Sequence, residues 1–424
     1  MKAIISPSKP SGSVRVPSSK SMGHRALICA ALAESECTLY NVDFSDDIIA
    51  TINSLKSLGA SFDIDRNTIK VTPISNKMLE FASLNANESG STLRFLIPLA
   101  SYLAKEVKFY GTKKLLSRPL GMYEALYEND GLEFKNCEDY LNIKGSLKAA
   151  DYVLDNVVSS QFISGLLYLL PLLENDSTIT ITSKFESSSY VVLTLQMLEY
   201  YGIKIEASDD LTKFYIKGGQ KYIAKDYTVE GDFSQAAFFL TLGTINSDIT
   251  LNGLYPDSLQ GDKVIVEMIG KMGGNITCLK DSYSVKQVNT KTDTILDIND
   301  SPDLGPILTV LASVNKGKTI ITNAARLRLK ESDRILAMET ELKKFGIDIT
   351  SDENNIYITG LDEFDTQYEL ASHNDHRIFM SLAVLSTIAS SPITINGVEC
   401  INKSYPNFIE DLIKLGIKVE LLDD

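Results

Sequence analysis

The residues of this chain with the clearest chemical potential are cations near predicted helix starts. The stretch Lys20-Ser21-Met22-Gly23-His24-Arg25 follows Pro17 and opens the apolar run 26–33, so it predicts the start of a helix. Ser21 and Arg25 are four residues apart and share one face. Amide groups, the positive end of the helix dipole and two basic side chains would meet there, as in an anion site. A capped helix with solvated basic residues is the alternative.

Arginine is scarce, and its positions are informative. The chain has nine arginines, and Arg25, Arg94 and Arg377 each fall near the predicted start of an apolar helix. The helix dipole disfavours a cation there. A purely structural helix gains nothing from this placement, whereas a helix that holds an anion uses it, because guanidinium binds phosphate and carboxylate in a bidentate manner.

A second basic cluster lies at residues 326–334, which read Arg-Leu-Arg-Leu-Lys-Glu-Ser-Asp-Arg. Lys330 and Arg334 are four residues apart, and we expect Arg334 to open an outer helix. Such a run is usually a solvated helix start, but three of nine arginines in it favour a site. Two carboxylates, Glu331 beside the cluster and Asp303 at another helix start, are the groups we expect to move protons.

A further arginine precedes a proline. Arg118-Pro119 predicts a guanidinium placed just before a helix whose first position is proline.

A repeat of about 70 residues runs through the chain. An amphipathic helix, a large residue and a glycine recur, followed by alternating apolar positions typical of strands. The glycines are Gly59, Gly131, Gly202, Gly273, Gly346 and Gly416, with spacings of 72, 71, 71, 73 and 70 residues. Glycine after a helix is typical of the left-handed position that ends it.

Each repeat also contains a second helix that is apolar on nearly all sides, which predicts burial. These inner helices are predicted to begin near Lys20, Glu88, Val158, Asp232, Ser301 and Asn374. Each is followed by a short predicted strand, so we expect an α/β fold of two domains with three repeats each. If the six inner-helix starts face one cleft between the domains, that cleft would bind an anion-rich small molecule.

Composition limits the class of protein. The 424 residues are 44% hydrophobic and 23% charged, with a formal net charge of −14, which indicates a soluble chain of two domains and disfavours nucleic acid or an anionic membrane as a partner. Five scattered cysteines predict reduced thiols in a cytoplasmic protein, and no metal-ligand spacing occurs among them. The start of the chain lacks the pattern of a signal peptide, and the apolar run 162–173 contains Pro171 and is too short to span a membrane.

Taken together in order along the chain, these motifs resemble the EPSP synthase (3-phosphoshikimate 1-carboxyvinyltransferase) family. The similarity covers essentially the whole length. It rests on Lys20-Ser21 with Arg25, Gly90 through Arg94, Ser117-Arg118-Pro119, Ser159-Ser160-Gln161-Phe162, Ser187 with Tyr190, Pro302-Asp303, Lys330 through Arg334, Asp375-His376-Arg377 and Lys403 through Pro406.

The resemblance implies two domains of three βαβαββ-like repeats with buried parallel helices, an arrangement described as an inside-out α/β barrel. One domain would be discontinuous, with residues 1–18 and 232–424, and the other would comprise residues 19–231. The chain would cross between them near residues 18–20 and 229–232, which places the first strand with the C-terminal half.

The resemblance also implies the reaction, in which the 5-hydroxyl of shikimate 3-phosphate adds to C2 of phosphoenolpyruvate and the intermediate loses phosphate. No metal or organic cofactor is needed. The residues implied to hold shikimate 3-phosphate are Lys20, Ser21, Arg25, Ser159, Ser160, Gln161, Ser187, Asp303 and Lys330. Those implied to hold phosphoenolpyruvate are Lys20, Gly90, Arg118, Gln161, Arg334, Arg377 and Lys403. Asp303 would be the base and Glu331 the acid, with Lys20 assisting. We also expect the protein to be a monomer.

Some positions depart from the family's common pattern. Glu88 stands where asparagine is frequent, Phe95 where proline often follows the arginine, and Arg326 where some members have a ligand asparagine. Gly90 nevertheless leaves room for glyphosate, so inhibition by glyphosate is expected. His24 is expected to make a structural hydrogen bond, whereas His376 is assigned equally to packing and to the site.

Three other functions are compatible with parts of the pattern. The first is the sister enzyme that transfers enolpyruvyl to UDP-N-acetylglucosamine, but the corresponding loop, residues 111–117, has no cysteine. The second is a ring-shaped DNA clamp, whose inner helices should carry rows of Lys and Arg. The third is an inactive homologue that only binds, which Asp303, Glu331 and Lys20 argue against.

Overall fold

The computed structural model describes residues 1–75, 77–155, 159–183 and 188–423. The chain divides into two compact units. One is the discontinuous unit, Met1–Pro17 with Glu230–Asp424, and the other is the continuous unit, Ser18–Val229. Within the described ranges, every helix is too short or too polar to cross a lipid bilayer.

The secondary structure is a regular mixture of helices and strands. The helices are α1 (Lys20–Leu32), α2 (Asp46–Ser57), α3 (Gly90–Leu103), α4 (Lys113–Leu116), α5 (Gly121–Asn129), α6 (Ser160–Leu169), α7 (Ser189–Tyr200), α8 (Phe233–Ile245), α9 (Ile265–Lys271), α10 (Gly305–Val314), α11 (Arg334–Lys343), α12 (His376–Ser386) and α13 (Phe408–Lys414). The strands are β1 (Lys2–Ser6), β2 (Ser13–Arg15), β3 (Cys37–Tyr40), β4 (Ser61–Asp65), β5 (Thr68–Thr72), β6 (Leu79–Asn85), β7 (Ala104–Tyr110), β8 (Glu133–Asn136), β9 (Tyr140–Lys144), β10 (Asp151–Leu154), β11 (Ser177–Ile181), β12 (Ile205–Ala207), β13 (Lys213–Ile216), β14 (Tyr227–Thr228), β15 (Ile249–Asn252), β16 (Asn275–Cys278), β17 (Ser282–Lys286), β18 (Thr294–Asp297), β19 (Lys318–Thr322), β20 (Asp348–Ser351), β21 (Ile356–Thr359), β22 (Leu370–Ala371), β23 (Ile393–Asn396) and β24 (Lys418–Leu422).

The strands form four-stranded sheets that repeat one topology. In the continuous unit the orders are β14-β3-β5-β4, β6-β7-β9-β8 and β10-β11-β13-β12; in the discontinuous unit they are β16-β17-β15-β2, β18-β19-β21-β20 and β22-β23-β1-β24. A parallel pair flanks an inner helix in most repeats, as β18 and β19 flank α10, and an antiparallel hairpin follows. Among the described residues each sheet stays open. This is the α/β repeat architecture that the sequence predicts.

The first strand of the chain completes a sheet formed by the last ones. β1 lies antiparallel to both β23 and β24, with Ala3 opposite Ile395 and Leu421. β2 pairs in parallel with β15, while β14 pairs in parallel with β3. β1 and β2 therefore each complete a four-stranded sheet of the discontinuous unit, and β14 completes one of the continuous unit.

The repeat glycines adopt the predicted left-handed conformation. Their φ angles are 107° at Gly59, 71° at Gly131, 83° at Gly202, 88° at Gly273, 78° at Gly346 and 90° at Gly416. A side chain at such an angle would be strained, since only glycine adopts it without steric cost. These glycines end the outer helices and turn the chain into the following strand, as the 70-residue spacing predicts.

The inner helices are buried, as their apolar composition predicts. All thirteen residues of α8 are buried, and α8, α10 and α12 pack on one another in the core of the discontinuous unit. In the continuous unit α3 packs against α6, and Phe95 of α3 contacts His24 of α1 edge-on. Because these helices are fixed by packing on several sides, their first turns are rigid supports for side chains.

Three local expectations need adjustment. Pro119 does not open α5, which begins at Gly121 with no side-chain cap. Lys330 does not share a helix with Arg334, because a 3₁₀ segment ends at Leu329 and α11 begins only at Arg334. The fifth inner helix begins as a 3₁₀ turn, Pro302–Leu304, before α10. The predicted start Val158 lies outside the described residues.

Candidate active site

Arg334 is the centre of a polar network in the discontinuous unit. It is the first residue of α11, which Asp333 caps by accepting from Leu336 N. Its side chain is 1% exposed and contacts three carboxylates. Nε donates to Asp375 Oδ2 at 2.8 Å, Nη1 to Asp303 Oδ1 at 3.0 Å, and Nη2 to Glu331 Oε2 at 2.6 Å. Together these carboxylates raise the pKa of Arg334 against the lowering effect of burial.

Asp303 accepts from cations on both of its carboxylate oxygens. Besides Arg334, Lys330 Nζ lies 3.1 Å from Oδ1 and Arg377 Nη2 lies 2.9 Å from Oδ2. Arg377 Nη1 also donates to the Asp303 carbonyl at 3.1 Å. Burial by itself raises the pKa of this carboxyl, but the three cations outweigh it and hold the pKa well below its usual range. Asp303 is therefore ionised, with every partner a group that also suits a phosphate or carboxylate.

Asp375 links α12 to Arg334. It is fully buried, caps α12 by accepting from Arg377 N at 2.9 Å, and accepts from Ser332 Oγ at 3.0 Å. One residue earlier, the Asn374 carbonyl accepts from Lys403 Nζ at 2.7 Å. Residues at the start of α12 therefore bind two cations from other parts of the chain, Arg334 and Lys403.

In the continuous unit, Lys20 is the first residue of α1. Ser19 caps this helix by accepting from Met22 N, and Lys20 Nζ donates to Asp47 Oδ2 at 2.7 Å. Asp47 lies in the first turn of α2, where a carboxylate is favoured by the dipole. Both side chains are partly exposed, at 20% and 16%, so the ammonium group is accessible to a ligand.

Gly90 lies against two guanidinium groups. It is the first residue of α3, and a Cβ atom there would be 3.1 Å from both Arg118 Nη1 and Arg94 Nη1. Gln161 Oε1 accepts from Arg94 Nη1 at 2.8 Å, while Gln161 Nε2 donates to Ser91 Oγ at 2.9 Å. Because Gly90 has no side chain, the two guanidinium groups and the Gln161 amide lie close to the backbone at the start of α3.

Arg25 is buried and held on several sides. Its Nη1 donates to the Ser21 carbonyl at 2.7 Å, Nη2 to the Tyr190 carbonyl at 2.6 Å, and Nε to Thr194 Oγ1 at 2.9 Å. The guanidinium also lies 5.1 Å from the Phe95 ring centroid. Burial lowers the pKa of Arg25, and these contacts fix the orientation of its plane.

Two of the predicted serines lie at the start of α6. Ser159 is the N-cap and accepts from Gln161 N at 3.3 Å, and Ser160, the first helical residue, is buried. Ser187 lies outside the described residues. The structure thus places Gln161 with Gly90, and Ser159 at the same helix start.

The histidines of the helix starts are buried. His24 Nδ1 lies 2.7 Å from Thr51 Oγ1, which in turn lies 2.7 Å from Thr92 Oγ1; this is the structural hydrogen bond expected for His24. His376 is 2% exposed and opens α12 beside Asp375.

Sequence reasoning missed the carboxylates and hydroxyls that hold the cations. Asp47 and Thr194 were not named, and Ser91 and Ser234 were given no role, although Ser234 Oγ accepts from Arg377 Nη2 at 3.1 Å. Asp375 was part of a quoted motif but was given no role. No spacing rule relates Asp47 to Lys20 or Thr194 to Arg25, because each pair joins different helices; only the position of Asp375 before Arg377 gave a local signal for capping.

Comparison with known proteins points to the same family as the sequence motifs that contain these cations. The sequence profile of EPSP synthase (3-phosphoshikimate 1-carboxyvinyltransferase) matches residues 5–412. The chain belongs to the EPSP synthase family. The match includes all the described site residues, from Lys20 to Lys403.

Curated relatives of this EPSP synthase family member share its length. A protein of Clostridium kluyveri named 3-phosphoshikimate 1-carboxyvinyltransferase is 43% identical over 418 residues, which cover 98% of this chain and 97% of the relative. A protein of Clostridioides difficile with the same name is 41% identical over 429 residues and covers 98% of each chain. The solved structure of EPSP synthase from Acinetobacter baumannii superposes with a TM-score of 0.82 at 25% identity, covering 99% of this chain and 100% of that one.

Proposed function

We propose that this chain is a 3-phosphoshikimate 1-carboxyvinyltransferase, which transfers the enolpyruvyl group of phosphoenolpyruvate to the 5-hydroxyl of shikimate 3-phosphate. The family match and the names of the relatives support this reaction. The observation that carries the assignment of the chemistry is the convergence of Lys330, Arg334 and Arg377 on Asp303. One such cluster supplies both anion binding and a carboxylate base.

The proposed contacts of phosphoenolpyruvate are cationic or backbone groups. They are Lys20, Gly90, Arg118, Gln161, Arg334, Arg377 and Lys403. Gly90 is supported by its place beside Arg118, whose Nη1 would lie 3.1 Å from a Cβ atom added at this position, and Arg334 and Arg377 by their shared partner Asp303. Guanidinium pairs suit both the carboxylate and the phosphate of this substrate.

The proposed contacts of shikimate 3-phosphate include more hydroxyl groups. They are Lys20, Ser21, Arg25, Ser159, Ser160, Gln161, Ser187, Asp303 and Lys330. Ser159 and Ser160 are supported by their place at the start of α6, where N–H groups and hydroxyls are available to a phosphate. Arg25 is supported by its fixed orientation.

Asp303 is proposed to accept the proton of the attacking hydroxyl. In the structure its pKa is held low by Arg377, Lys330 and Arg334, which makes it a weak base. An anionic substrate competes for the same three cations, so binding weakens their hold on Asp303 and raises its basicity. Substrate binding thus prepares the base at the moment at which the hydroxyl is in place.

Glu331 is proposed to protonate the methylene carbon of phosphoenolpyruvate, with Lys20 assisting. The added proton makes C2 electrophilic, the hydroxyl oxygen bonds to C2, and a tetrahedral intermediate forms. Loss of a proton from the methyl carbon and departure of phosphate then give the enol ether and inorganic phosphate. The cations around the phosphate oxygens stabilise the charge on this leaving group.

The sister reaction with UDP-N-acetylglucosamine is not favoured by the relatives, which carry the other name. The loop at residues 111–117 has no cysteine, which also favours the shikimate acceptor. We further propose a cytoplasmic enzyme, in keeping with five cysteines that form no disulfide among the described residues. The family resemblance implies that the reaction needs no cofactor.

The experiment is a phosphate-release assay with phosphoenolpyruvate and each acceptor in turn. We expect release with shikimate 3-phosphate and none with UDP-N-acetylglucosamine; the reverse result would reject the proposal. Asp303→Ala and Lys20→Ala should lose most activity while remaining folded by circular dichroism. Turnover like that of wild type in either variant would remove the role assigned to that residue.

A further inference from the structure

Helix α11 approaches the chain segment before α12 at two points. Arg334 at its start donates to Asp375, and Glu341, seven residues later, reaches the residues just before Asp375. Seven residues are about two helical turns, or roughly 10 Å, so both side chains lie on one face of the helix. The segment Ala371–Asp375, here called the α12 connection, is therefore bound to α11 at two places, by Arg334 and by Glu341.

Glu341 is a buried carboxylate with three donors. Its side chain is 1% exposed; Oε2 accepts from Lys344 Nζ at 2.7 Å and from Ala371 N at 3.0 Å, and Oε1 lies 2.8 Å from His373 Nε2. Burial raises the pKa of Glu341, but the hydrogen bonds from His373, Lys344 and Ala371 outweigh it and lower the pKa below its ordinary value. A buried group with this many specific partners fixes the geometry of all of them.

The α12 connection has a backbone that needs such support. His373 and Asn374 have φ angles of 52° and 54°, a left-handed conformation that is sterically unfavourable for a residue with a side chain. Two such residues in succession persist only where surrounding contacts determine them. Glu341 contacts Ala371, two residues before the strained pair, and His373 within it.

The strained pair sets the direction of three groups assigned to phosphoenolpyruvate. The Asn374 carbonyl accepts from Lys403 Nζ. The next residue, Asp375, holds Arg334 through Nε and caps the turn that carries Arg377. A change in the φ angles of His373 and Asn374 would therefore move Lys403, Arg334 and Arg377 together.

We propose that Glu341 is a positioning residue for the phosphoenolpyruvate subsite, acting through the left-handed α12 connection. This inference rests on the proposed function, because it takes Arg334, Arg377 and Lys403 as contacts of phosphoenolpyruvate. It concerns a side chain that touches no substrate in the proposed assignment, and it predicts a selective effect on one of the two substrates.

The principal variant is Glu341→Gln. An amide oxygen in place of Oε2 can still accept from Ala371 N and Lys344 Nζ, but the NH₂ group in place of Oε1 cannot accept from His373 Nε2. Loss of a hydrogen bond to a charged group corresponds to about 1.5–3 kcal/mol, so we expect the KM for phosphoenolpyruvate to rise about tenfold or more. The KM for shikimate 3-phosphate should stay within about twofold. An unchanged KM for phosphoenolpyruvate would overturn the proposal.

Two further variants separate positioning from general loss of stability. His373→Asn keeps a residue that tolerates the left-handed conformation but is too short to reach Glu341, so the same selective rise in KM is expected. Glu339→Gln is the matched control, because Glu339 lies on the same helix and pairs with Lys343 and Ser351 instead of the connection. It should leave both KM values unchanged; an equal effect of this control would contradict the proposal.

Hydrogen exchange gives a test that does not depend on turnover. In folded Glu341→Gln the amides of residues 371–377 should exchange faster than in wild type, while those of the Glu339→Gln control should not. Unchanged exchange in the α12 connection would reject the positioning role even if the enzyme is active. Wild-type protein that releases no phosphate would instead reject the proposed function, and the exchange result would still decide the role of Glu341.

Discussion

At the scale of single residues, the site cations are paired with carboxylates of the same chain. Asp303 satisfies Lys330, Arg334 and Arg377, and Asp47 satisfies Lys20. Burying an unpaired charge would be costly, so cations gathered in a largely buried cluster need internal counter-ions. Under the proposed function, substrate anions would replace these counter-ions, and the carboxylates would then become available for proton transfer.

Gly90 gives the sharpest prediction about a single side chain. In Gly90→Ala the new Cβ would lie 3.1 Å from Arg118 Nη1 and Arg94 Nη1, so both guanidinium groups must shift. We expect the KM for phosphoenolpyruvate to rise about tenfold, equivalent to about 1.4 kcal/mol, as measured by initial rates.

The matched control for Gly90 is Gly270→Ala. Gly270 is a helical glycine of α9 with no atom within 4 Å of a built Cβ. This change should leave both KM values unchanged and add up to about 1 kcal/mol of stability. A Gly90→Ala enzyme with the KM of wild type would contradict the proposed place of Gly90 in the subsite.

Glyphosate tests the space at the same position. We expect it to inhibit in competition with phosphoenolpyruvate, because Gly90 presents no side chain between Arg118 and Gln161. Phe95, which departs from the common pattern, is buried under Arg25 and packs on Tyr168. Initial rates that do not change at glyphosate concentrations well above the KM for phosphoenolpyruvate would reject this expectation.

His24 should make the free energy of unfolding depend on pH. Burial, with Lys20 and Arg25 nearby, lowers the pKa of His24 well below 6.5. Below pH 6.5 the unfolded chain therefore binds a proton that the folded chain does not, and stability falls as pH falls, by up to about 1.4 kcal/mol per pH unit.

The measurement is urea unfolding of wild type and His24→Gln at pH 7.5 and pH 5.5. The loss of stability on acidification should be smaller in the variant, since glutamine does not titrate. Equal losses in both proteins would show that His24 is not the group responsible.

At the scale of the secondary-structure elements, α11 and α12 are joined by a buried ion pair. Asp375→Ala removes the N-cap of α12 and one partner of Arg334, whose side chain is 1% exposed. Removal of one partner from a buried pair costs about 3–5 kcal/mol, so a loss of this size is expected in urea unfolding.

Asp333→Ala provides the comparison for this prediction. Asp333 caps α11 in the same way, but its side chain is 33% exposed, so only about 1 kcal/mol should be lost. Equal losses for the two caps would mean that the Asp375–Arg334 pair contributes no more than an exposed cap.

The sequence predicts the elements well because their signals are local. The spacing of Gly59 through Gly416 predicted each helix end, and every one of these glycines has a positive φ angle. The apolar runs predicted the inner helices, such as α8, because a helix without a polar face must be buried. The start of α5 was wrong by two residues because Pro119 is also compatible with the loop before a helix.

The partners of the site cations could not be predicted in this way. Arg334 with Asp303, Lys20 with Asp47 and Glu341 with His373 each join residues at least 27 positions apart. Such contacts depend on how helices pack, and no period in the sequence reports them. The residue types and their positions at helix starts predicted anion binding, but the carboxylates that pair with these cations could be identified only from the structure.

At the scale of the whole molecule, a chain with a net charge of −14 carries two local clusters of cations. Its overall charge opposes binding to nucleic acid, and we expect a monomer. Light scattering after gel filtration should give a mass near 46.7 kDa, and added duplex DNA should not change the elution. A stable dimer at micromolar concentration would contradict the expected state.

The most direct test of the central claim is the identity of the product. The protein is incubated with phosphoenolpyruvate and shikimate 3-phosphate, and the mixture is analysed by mass spectrometry together with a phosphate assay. We predict that shikimate 3-phosphate gains one carboxyvinyl group for each phosphate released, and that Asp303→Ala forms little of this product. Phosphate released without the carboxyvinyl product, or no reaction by folded wild-type protein, would contradict the account.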